Sequence, residues 1–97
     1  MIKHVVLFKF KPEATPTQRQ AVVDGLAALP RLIAEIKGWK LVHTVPGRPP
    51  RFYHLALFAE FADVAAVDRY IAHPEHQKIV ALIDGACESR AAFNYEE

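Results

Sequence analysis

The residues most able to do chemistry lie together in one short segment, Tyr70–His76. It contains the phenol of Tyr70 and the imidazoles of His73 and His76, with Pro74 between the two histidines. Imidazoles exchange protons near neutral pH, and a phenol can donate a hydrogen bond to a developing oxyanion. Because Pro74 should end one helix and begin another, the segment is predicted to be a helix junction. These residues could also simply cap and join the two helices, so a catalytic and a structural interpretation are both open.

Two further histidines lie on predicted strands. Alternation along the first strand places His4 on an apolar face together with Val6 and Phe8. By the same rule, His54 shares a face of the third strand with Phe58. We expect both faces to contact the helices, so that the histidines share one cavity with the helix junction. Titratable groups that converge on an apolar cavity are typical of a small-molecule site, although each histidine could instead be a satisfied core residue.

Other chemistries are not favoured by the sequence. His73 precedes a proline, which favours an extended backbone, so we expect it to cap the following helix rather than to act on a substrate. No cysteine or acidic cluster accompanies His73 and His76, so we expect no metal site. Cys87, the only cysteine, has no base beside it and is expected to pack in the core. The glycines are scattered, so no phosphate loop and no cofactor are predicted.

The composition indicates one small domain over residues 1–97. Hydrophobic residues make up 52% of the sequence, more than one compact monomer needs, so one sheet face is expected to be buried against a second subunit. Twelve basic and eleven acidic residues nearly balance without blocks of like charge, which disfavours nucleic acid and membrane surfaces as partners. The single cysteine and the absence of an apolar leader predict a soluble, cytoplasmic protein.

The hydrophobic periodicity predicts an α+β fold with the order β-α-β-β-α-β. Strands are predicted at residues 2–10, 39–45, 52–60 and 90–95. The first helix should begin with a capping box formed by Thr15 and Gln18, and Pro30 should kink or split it. The next helix should be capped by Asp63 and carry Val64, Val67 and Ile71 inward, and a last helix should follow Pro74. This order is typical of a ferredoxin-like fold, with a four-stranded antiparallel sheet and helices on one face.

Several of these segments resemble the stress-responsive dimeric A/B barrel (Dabb) family. They are Ile2–Lys11, Phe61 with the Asp63-capped helix, Tyr70–His76 and Phe93–Tyr95, and the resemblance covers nearly the whole chain. It implies a homodimer in which two sheets meet as a β-barrel with the helices outside. The third strand, apolar on both faces, agrees with that arrangement. We expect the interface to include Val5, Leu7, Leu55 and Leu57.

One relative that the resemblance brings in is a plant polyketide (olivetolic acid) cyclase, which closes a ring by cofactor-free aldol chemistry. The resemblance implies that His76 is the general base and that Tyr70 assists it. The residues implied or expected to bind substrate are His4, His54, Val6, Phe8, Val22 and Leu26. Val22 and Leu26 stand where the cyclase has aromatic residues, which implies a different substrate.

The leading hypothesis is therefore cofactor-free proton transfer, or aldol-type cyclisation, on a small apolar, aromatic or acyl carbonyl compound. A non-catalytic dimer that binds a metabolite or takes part in a stress response is the alternative. A third hypothesis is a cofactor-free monooxygenase, which the fold permits but no residue requires. Whether the protein is an enzyme remains open at this stage.

Overall fold

The structure of the protein is a computed structural model that describes all residues, 1–97. Its elements are β1 (Ile2–Phe10), α1 (Pro16–Leu32), β2 (Gly38–His43), β3 (Leu55–Phe61), α2 (Val64–Ala72), α3 (Pro74–Ala86) and β4 (Cys87–Glu96). The four strands form one antiparallel sheet in the order β2-β3-β1-β4, and the helices cover one of its faces. The ferredoxin-like fold predicted from the sequence is confirmed. No helix combines the length and the apolar character needed to cross a membrane.

Strand register decides which side chains face the helices. In β1 every second residue is buried, beginning with Ile2, as the alternation predicts. His4 lies opposite Ala59 on β3 and opposite Asn94 on β4. Residues that are paired across antiparallel strands project to the same side of the sheet. The helix-facing side therefore carries His4 and Asn94 together, with Val6 and Ala92 in the next paired position.

The orientation of β3 differs from the prediction. Leu55 and Leu57 are each 1% exposed beneath the helices, whereas Phe58 is 44% exposed on the opposite face. Leu55 and Leu57 therefore cannot belong to the outward interface that we expected, although Val5 and Leu7 remain on the outward face. A strand that is apolar on both faces carries no local signal for which face the helices cover. The orientation is set by the pairing of Phe58 with Val5, which places both side chains on the face away from the helices.

Several predicted helix boundaries are confirmed. Thr15 and Gln18 form the capping box at the start of α1, and the Asp63 side chain accepts a hydrogen bond from the Ala66 N–H at the start of α2. Pro30 does not split α1; the helix continues through it and ends two residues later at Leu32. Val67 is buried as predicted, whereas Val64 and Ile71 are 59% and 42% exposed and do not point into the core, because they lie at the two ends of α2.

The face of the sheet away from the helices is left open by the single chain. We call it the outer sheet face; its apolar members are Val5, Leu7, Val42, Ala56, Phe58, Ala91, Phe93 and Tyr95. Three of its aromatic residues are substantially exposed: Phe58 at 44%, Phe93 at 66% and Tyr95 at 41%. Lys3 and Glu60 form an ion pair with a 2.8 Å N–O distance near one end of the face. An apolar surface of this kind on one chain is typical of a protein interface.

Candidate functional site

A cavity of about 310 Å³ lies between the helix-facing side of the sheet and the helices. Its lining is mostly apolar with a few polar groups, as in small-molecule sites. The polar members are His4, Tyr70, His76 and Arg90, and the apolar members are Val6, Phe8, Leu26, Leu57, Ile71, Val80, Ile83 and Ala92. A second cavity of about 340 Å³ beside residues 51–56 has one imidazole, that of His43, in its lining. Of these two cavities, only the first has two imidazoles in its lining, those of His4 and His76, together with a phenol.

His76 is held in one tautomer by the chain around the helix junction. It is the third residue of α3, and its Nδ1 lies 3.0 Å from the carbonyl oxygen of Ile71 in the last turn of α2. Since a carbonyl oxygen only accepts, Nδ1 carries the hydrogen and Nε2 keeps a free lone pair. The Gln77 side chain donates to the same carbonyl oxygen from 2.6 Å. That carbonyl is one of the unpaired groups at a helix end, which explains why two side chains converge on it.

The environment of His76 keeps its imidazole neutral at pH 7. Burial is the main reason that its pKa is lowered, and unfavourable electrostatic interactions of protonated His76 with His4, Arg90 and His73 lower this pKa further. The hydrogen bond to Ile71 opposes this effect and raises the pKa of His76. The position of His76 in the first turn of α3 also disfavours a cation there, because the helix dipole is positive at that end. A neutral imidazole with a free Nε2 can act as a general base.

Tyr70 places an unpaired phenol against this imidazole. The side chain is 1% exposed, and its ring centroid is 4.5 Å from that of His76. Its hydroxyl makes no hydrogen bond within the protein. The hydroxyl is not fully enclosed either, because Trp39 Nε1 is the one fully enclosed side-chain polar atom that lacks a partner. Burial raises the pKa of Tyr70 far above its ordinary value, so the phenol stays protonated at neutral pH. Tyr70 is therefore available as a hydrogen-bond donor to a bound molecule.

His4 completes the polar side of the cavity. It is 6% exposed, and its ring meets the Tyr70 ring edge-on at 5.9 Å. His4 Nδ1 lies 2.6 Å from the Asn94 side-chain oxygen. With that oxygen facing the ring, Nδ1 donates and Nε2 is left as an acceptor. We call His4, Tyr70 and His76 the His–Tyr–His cluster.

The structure separates two of the expected substrate-binding residues from the cavity. Val22 is fully buried in the core and does not line the cavity, whereas Val6, Phe8 and Leu26 do. His54 precedes β3, and its Nδ1 accepts a hydrogen bond from the Phe10 N–H at 3.0 Å. Burial, followed by the charges of Arg19 and Lys9, lowers the pKa of His54. The expectation that His54 shares the cavity is wrong. The residue lies in the turn before β3, and it directly precedes Leu55, whose side chain faces the helices, so the alternation puts His54 on the side of the outer face.

Two residues near the cavity were missed in the sequence analysis. Arg90 is a lining residue, and Asn94 orients His4. The alternation of β4 groups Arg90, Ala92 and Asn94 on one face, so a signal was present in the sequence. Which side of the sheet this face of β4 occupies depends on the pairing of β4 with β1, which sets Arg90 opposite Phe8 and Asn94 opposite His4. Local pattern alone could not assign that face to the cavity.

The remaining candidates have structural roles. His73 Nδ1 accepts a hydrogen bond from the Glu75 N–H at 3.1 Å, so the predicted cap of α3 is confirmed. Cys87 is buried at the start of β4, as expected, and burial raises the pKa of its thiol. Nowhere in the chain do three or more His, Cys, Asp or Glu side chains gather to hold a metal ion.

Comparison with known proteins identifies relatives over nearly the full length. A family model described as the stress-responsive A/B barrel domain matches residues 2–97. An uncharacterised protein of Streptomyces coelicolor is 32% identical over 84 residues, which is 84% of this chain and 86% of that protein. Stress-response A/B barrel domain-containing protein HS1 of Arabidopsis thaliana is 27% identical over 97 residues, covering 98% of this chain and 88% of HS1. The crystal structure of a dimeric Bacteroides fragilis protein of unknown function, with a ferredoxin-like fold, matches with a TM-score of 0.83. It is 30% identical and the match covers 99% of this chain and 95% of that one.

Proposed function

The chain belongs to the stress-responsive A/B barrel domain family, and we propose that its cavity carries out cofactor-free proton transfer on a carbonyl compound. The observation that carries the proposal is the His–Tyr–His cluster at an apolar cavity of about 310 Å³. In that cluster a neutral imidazole with a free Nε2 packs against an unpaired phenol at a centroid distance of 4.5 Å. A base and an oxyanion donor side by side are the two groups that enolate formation requires.

In the proposed reaction His76 Nε2 removes a proton from the carbon next to the substrate carbonyl. The C–H bond breaks, its electron pair forms the enolate, and the negative charge collects on the carbonyl oxygen. The Tyr70 hydroxyl donates a hydrogen bond to that oxygen, and His4 Nε2 accepts one from a polar group of the substrate. The enolate then either takes the proton back from His76 or attacks a second carbonyl within the same molecule. In that aldol cyclisation a C–C bond forms, the π bond of the second carbonyl breaks, and the resulting alkoxide takes the proton from His76. A general base contributes about 10²- to 10⁴-fold to such a rate, and an oxyanion donor about 10²- to 10³-fold.

We also propose that the working form is a homodimer joined through the outer sheet face. That face carries exposed Phe58, Phe93 and Tyr95, which no element of the chain covers. The related Bacteroides fragilis protein is described as dimeric. Two such faces in contact would bury their aromatic side chains, and the hydrophobic effect would favour the association.

The proton-transfer proposal is tested by deuterium exchange. The wild-type protein is incubated in D₂O with a panel of small alkyl and aryl ketones and 1,3-diketones, and loss of the α-C–H signal is followed by NMR. Protein-dependent exchange that saturates with ketone concentration is expected for at least one compound. Saturable binding of these ketones without exchange would contradict the proposal and favour the metabolite-binding alternative.

The exchange rate is expected to follow the ionisation of His76. Because burial lowers the pKa of His76 below 6.5, the imidazole is neutral and active from neutral pH upward. The rate should be level near pH 7 to 8 and fall tenfold per pH unit on the acid side of that lowered pKa. A rate profile measured from pH 4 to 8 checks this. A rate that instead rises as the pH falls below 6 would contradict the role of His76 as base.

Replacing Tyr70 by phenylalanine removes only the hydroxyl. That hydroxyl has no partner in the protein, so Tyr70→Phe should leave the melting temperature within about 2 °C of the wild type. The exchange rate at saturating ketone should fall by about 10²- to 10³-fold, since one oxyanion donor is lost. Ketone affinity should change little, because the ring that packs against His76 is retained. An unchanged exchange rate in a folded Tyr70→Phe variant would exclude Tyr70 as the oxyanion donor.

A further inference from the structure

Arg90 brings a largely unpaired cation to the cavity. It lies on the helix-facing side of β4, opposite Phe8, and is among the lining residues. Its single ionic contact joins Nη1 to Asp84 Oδ1 at 3.3 Å, and the Asp84 side chain is 66% exposed. A solvent-exposed pair of this kind contributes little free energy, and a guanidinium has five N–H donors. Most of the donor capacity of Arg90 is therefore free for a ligand.

The remainder of the lining does nothing to neutralise this charge. No aspartate or glutamate lines the cavity. The positive charge of Arg90 extends to the His–Tyr–His cluster, since it is one of the charges that act on His76. A cavity with one guanidinium and no carboxylate in its lining has a positive potential, and apolar walls strengthen the attraction that this potential exerts on an anion.

The register of the sheet sets the distance between Arg90 and the far end of the cluster. Arg90 is opposite Phe8, and His4 is four residues away on the same face of β1. At about 3.3 Å per residue these backbone positions are about 13 Å apart. The backbone positions of Arg90 and His4 therefore border the cavity at opposite ends of its sheet side, with Val6 between them. A cavity of about 310 Å³ is at the small end of ligand pockets, so the molecule that connects them must be small.

We propose that Arg90 is the specificity-determining residue of this cavity and that it selects a carbonyl substrate with a carboxylate at the end remote from the reacting carbonyl. The planar guanidinium matches a carboxylate with two parallel hydrogen bonds, which an amide or ester of the same shape cannot replace. The position of the reacting carbonyl rests on the proposed proton transfer. The preference for an acid does not.

The test uses a matched pair of probes, 6-oxoheptanoate and its uncharged amide, with binding measured by calorimetry on the intact wild-type protein. A charged hydrogen-bonded contact is expected to make the acid bind about 10- to 100-fold more tightly than the amide at low salt. Arg90→Leu should abolish this preference, because it weakens binding of the acid far more than binding of the amide. Arg90→Lys should retain part of it, because the charge remains but the planar fork is lost. Asp84→Asn is the matched control and should keep the full preference, because it removes only the competing carboxylate.

Two results would overturn the inference: equal affinity of the wild type for acid and amide, or an undiminished acid preference in Arg90→Leu. The Arg90 side chain is 41% exposed, so the variants should fold, and their melting temperatures verify this. Acid preference that depends on Arg90, without deuterium exchange of the acid, would refute the proton transfer alone. Exchange that proceeds equally on acid and amide in the wild type and in Arg90→Leu would refute the role of Arg90 alone.

Discussion

Replacing His76 by alanine is expected to lower the rate of α-proton exchange by about 10²- to 10⁴-fold, since the general base is lost. The fold should tolerate the change. His76 is half-buried at the start of α3, and the carbonyl oxygen of Ile71 that it bonds keeps a second donor, the Gln77 amide, at 2.6 Å. The melting temperature should therefore fall by no more than about 3 °C, as for substitutions outside the core. NMR exchange assays and thermal melts of the same samples measure both quantities.

His73 provides the matched control three residues away. Its Nδ1 accepts the hydrogen bond from the Glu75 N–H that caps α3. His73→Ala should cost about 1 kcal/mol of stability, as the loss of a helix cap does, and lower the melting temperature by roughly 4–8 °C. Exchange should persist below the new melting temperature. If His76→Ala instead lost stability and kept its exchange or binding activity, His76 would be structural and the catalytic proposal would fail.

Replacing Phe58 by arginine is expected to convert the dimer into monomers. Phe58 is 44% exposed at a paired position next to Val5 in the outer sheet face, so the variant places a charge in the middle of the proposed interface. Burying an unpaired charge costs far more than the contacts of one aromatic side chain return. Sedimentation velocity at micromolar concentration should show a dimer for the wild type and a monomer for Phe58→Arg.

Leu82→Arg is the control for the effect of a new surface charge. Leu82 is 42% exposed, nearly as much as Phe58, but it lies on α3 on the other side of the sheet. This variant should remain dimeric with an unchanged sedimentation coefficient. A monomeric wild type, or a Phe58→Arg variant that stays dimeric, would exclude the outer sheet face as the interface.

The elements and their order were predictable because their signals are local. The capping box of Thr15 and Gln18 and the Asp63 cap act within one helical turn, and both occur as predicted. The alternation of β1 is equally local, since one half-buried face imposes a period of two residues. The junction between α2 and α3 was also predictable from the sequence, because the proline that follows His73 disfavours a continuous helix. These signals were sufficient for the ferredoxin-like fold.

The faces of the inner and edge strands depended on tertiary structure. β3 is apolar on both sides, so its own residues do not indicate whether Leu57 or Phe58 faces the helices. Pairing with β1, about fifty residues earlier in the chain, determines the orientation of β3 and places Leu55 and Leu57 in the core. The same register, with the turn before β3, places His54 beside Phe10 and away from the cavity.

From the sequence alone, the types of the reactive groups in Tyr70–His76 were determined, as was their position at a junction between helices. Only the tertiary structure decided what those groups can do. Packing of α2 against β1 brings Tyr70 to His4 across more than sixty residues of chain. The carbonyl left unpaired at the end of α2 selects the tautomer of His76, and pairing of β4 with β1 brings Arg90 to the same cavity. Each of these depends on contacts between distant segments, which residue type and local spacing do not encode.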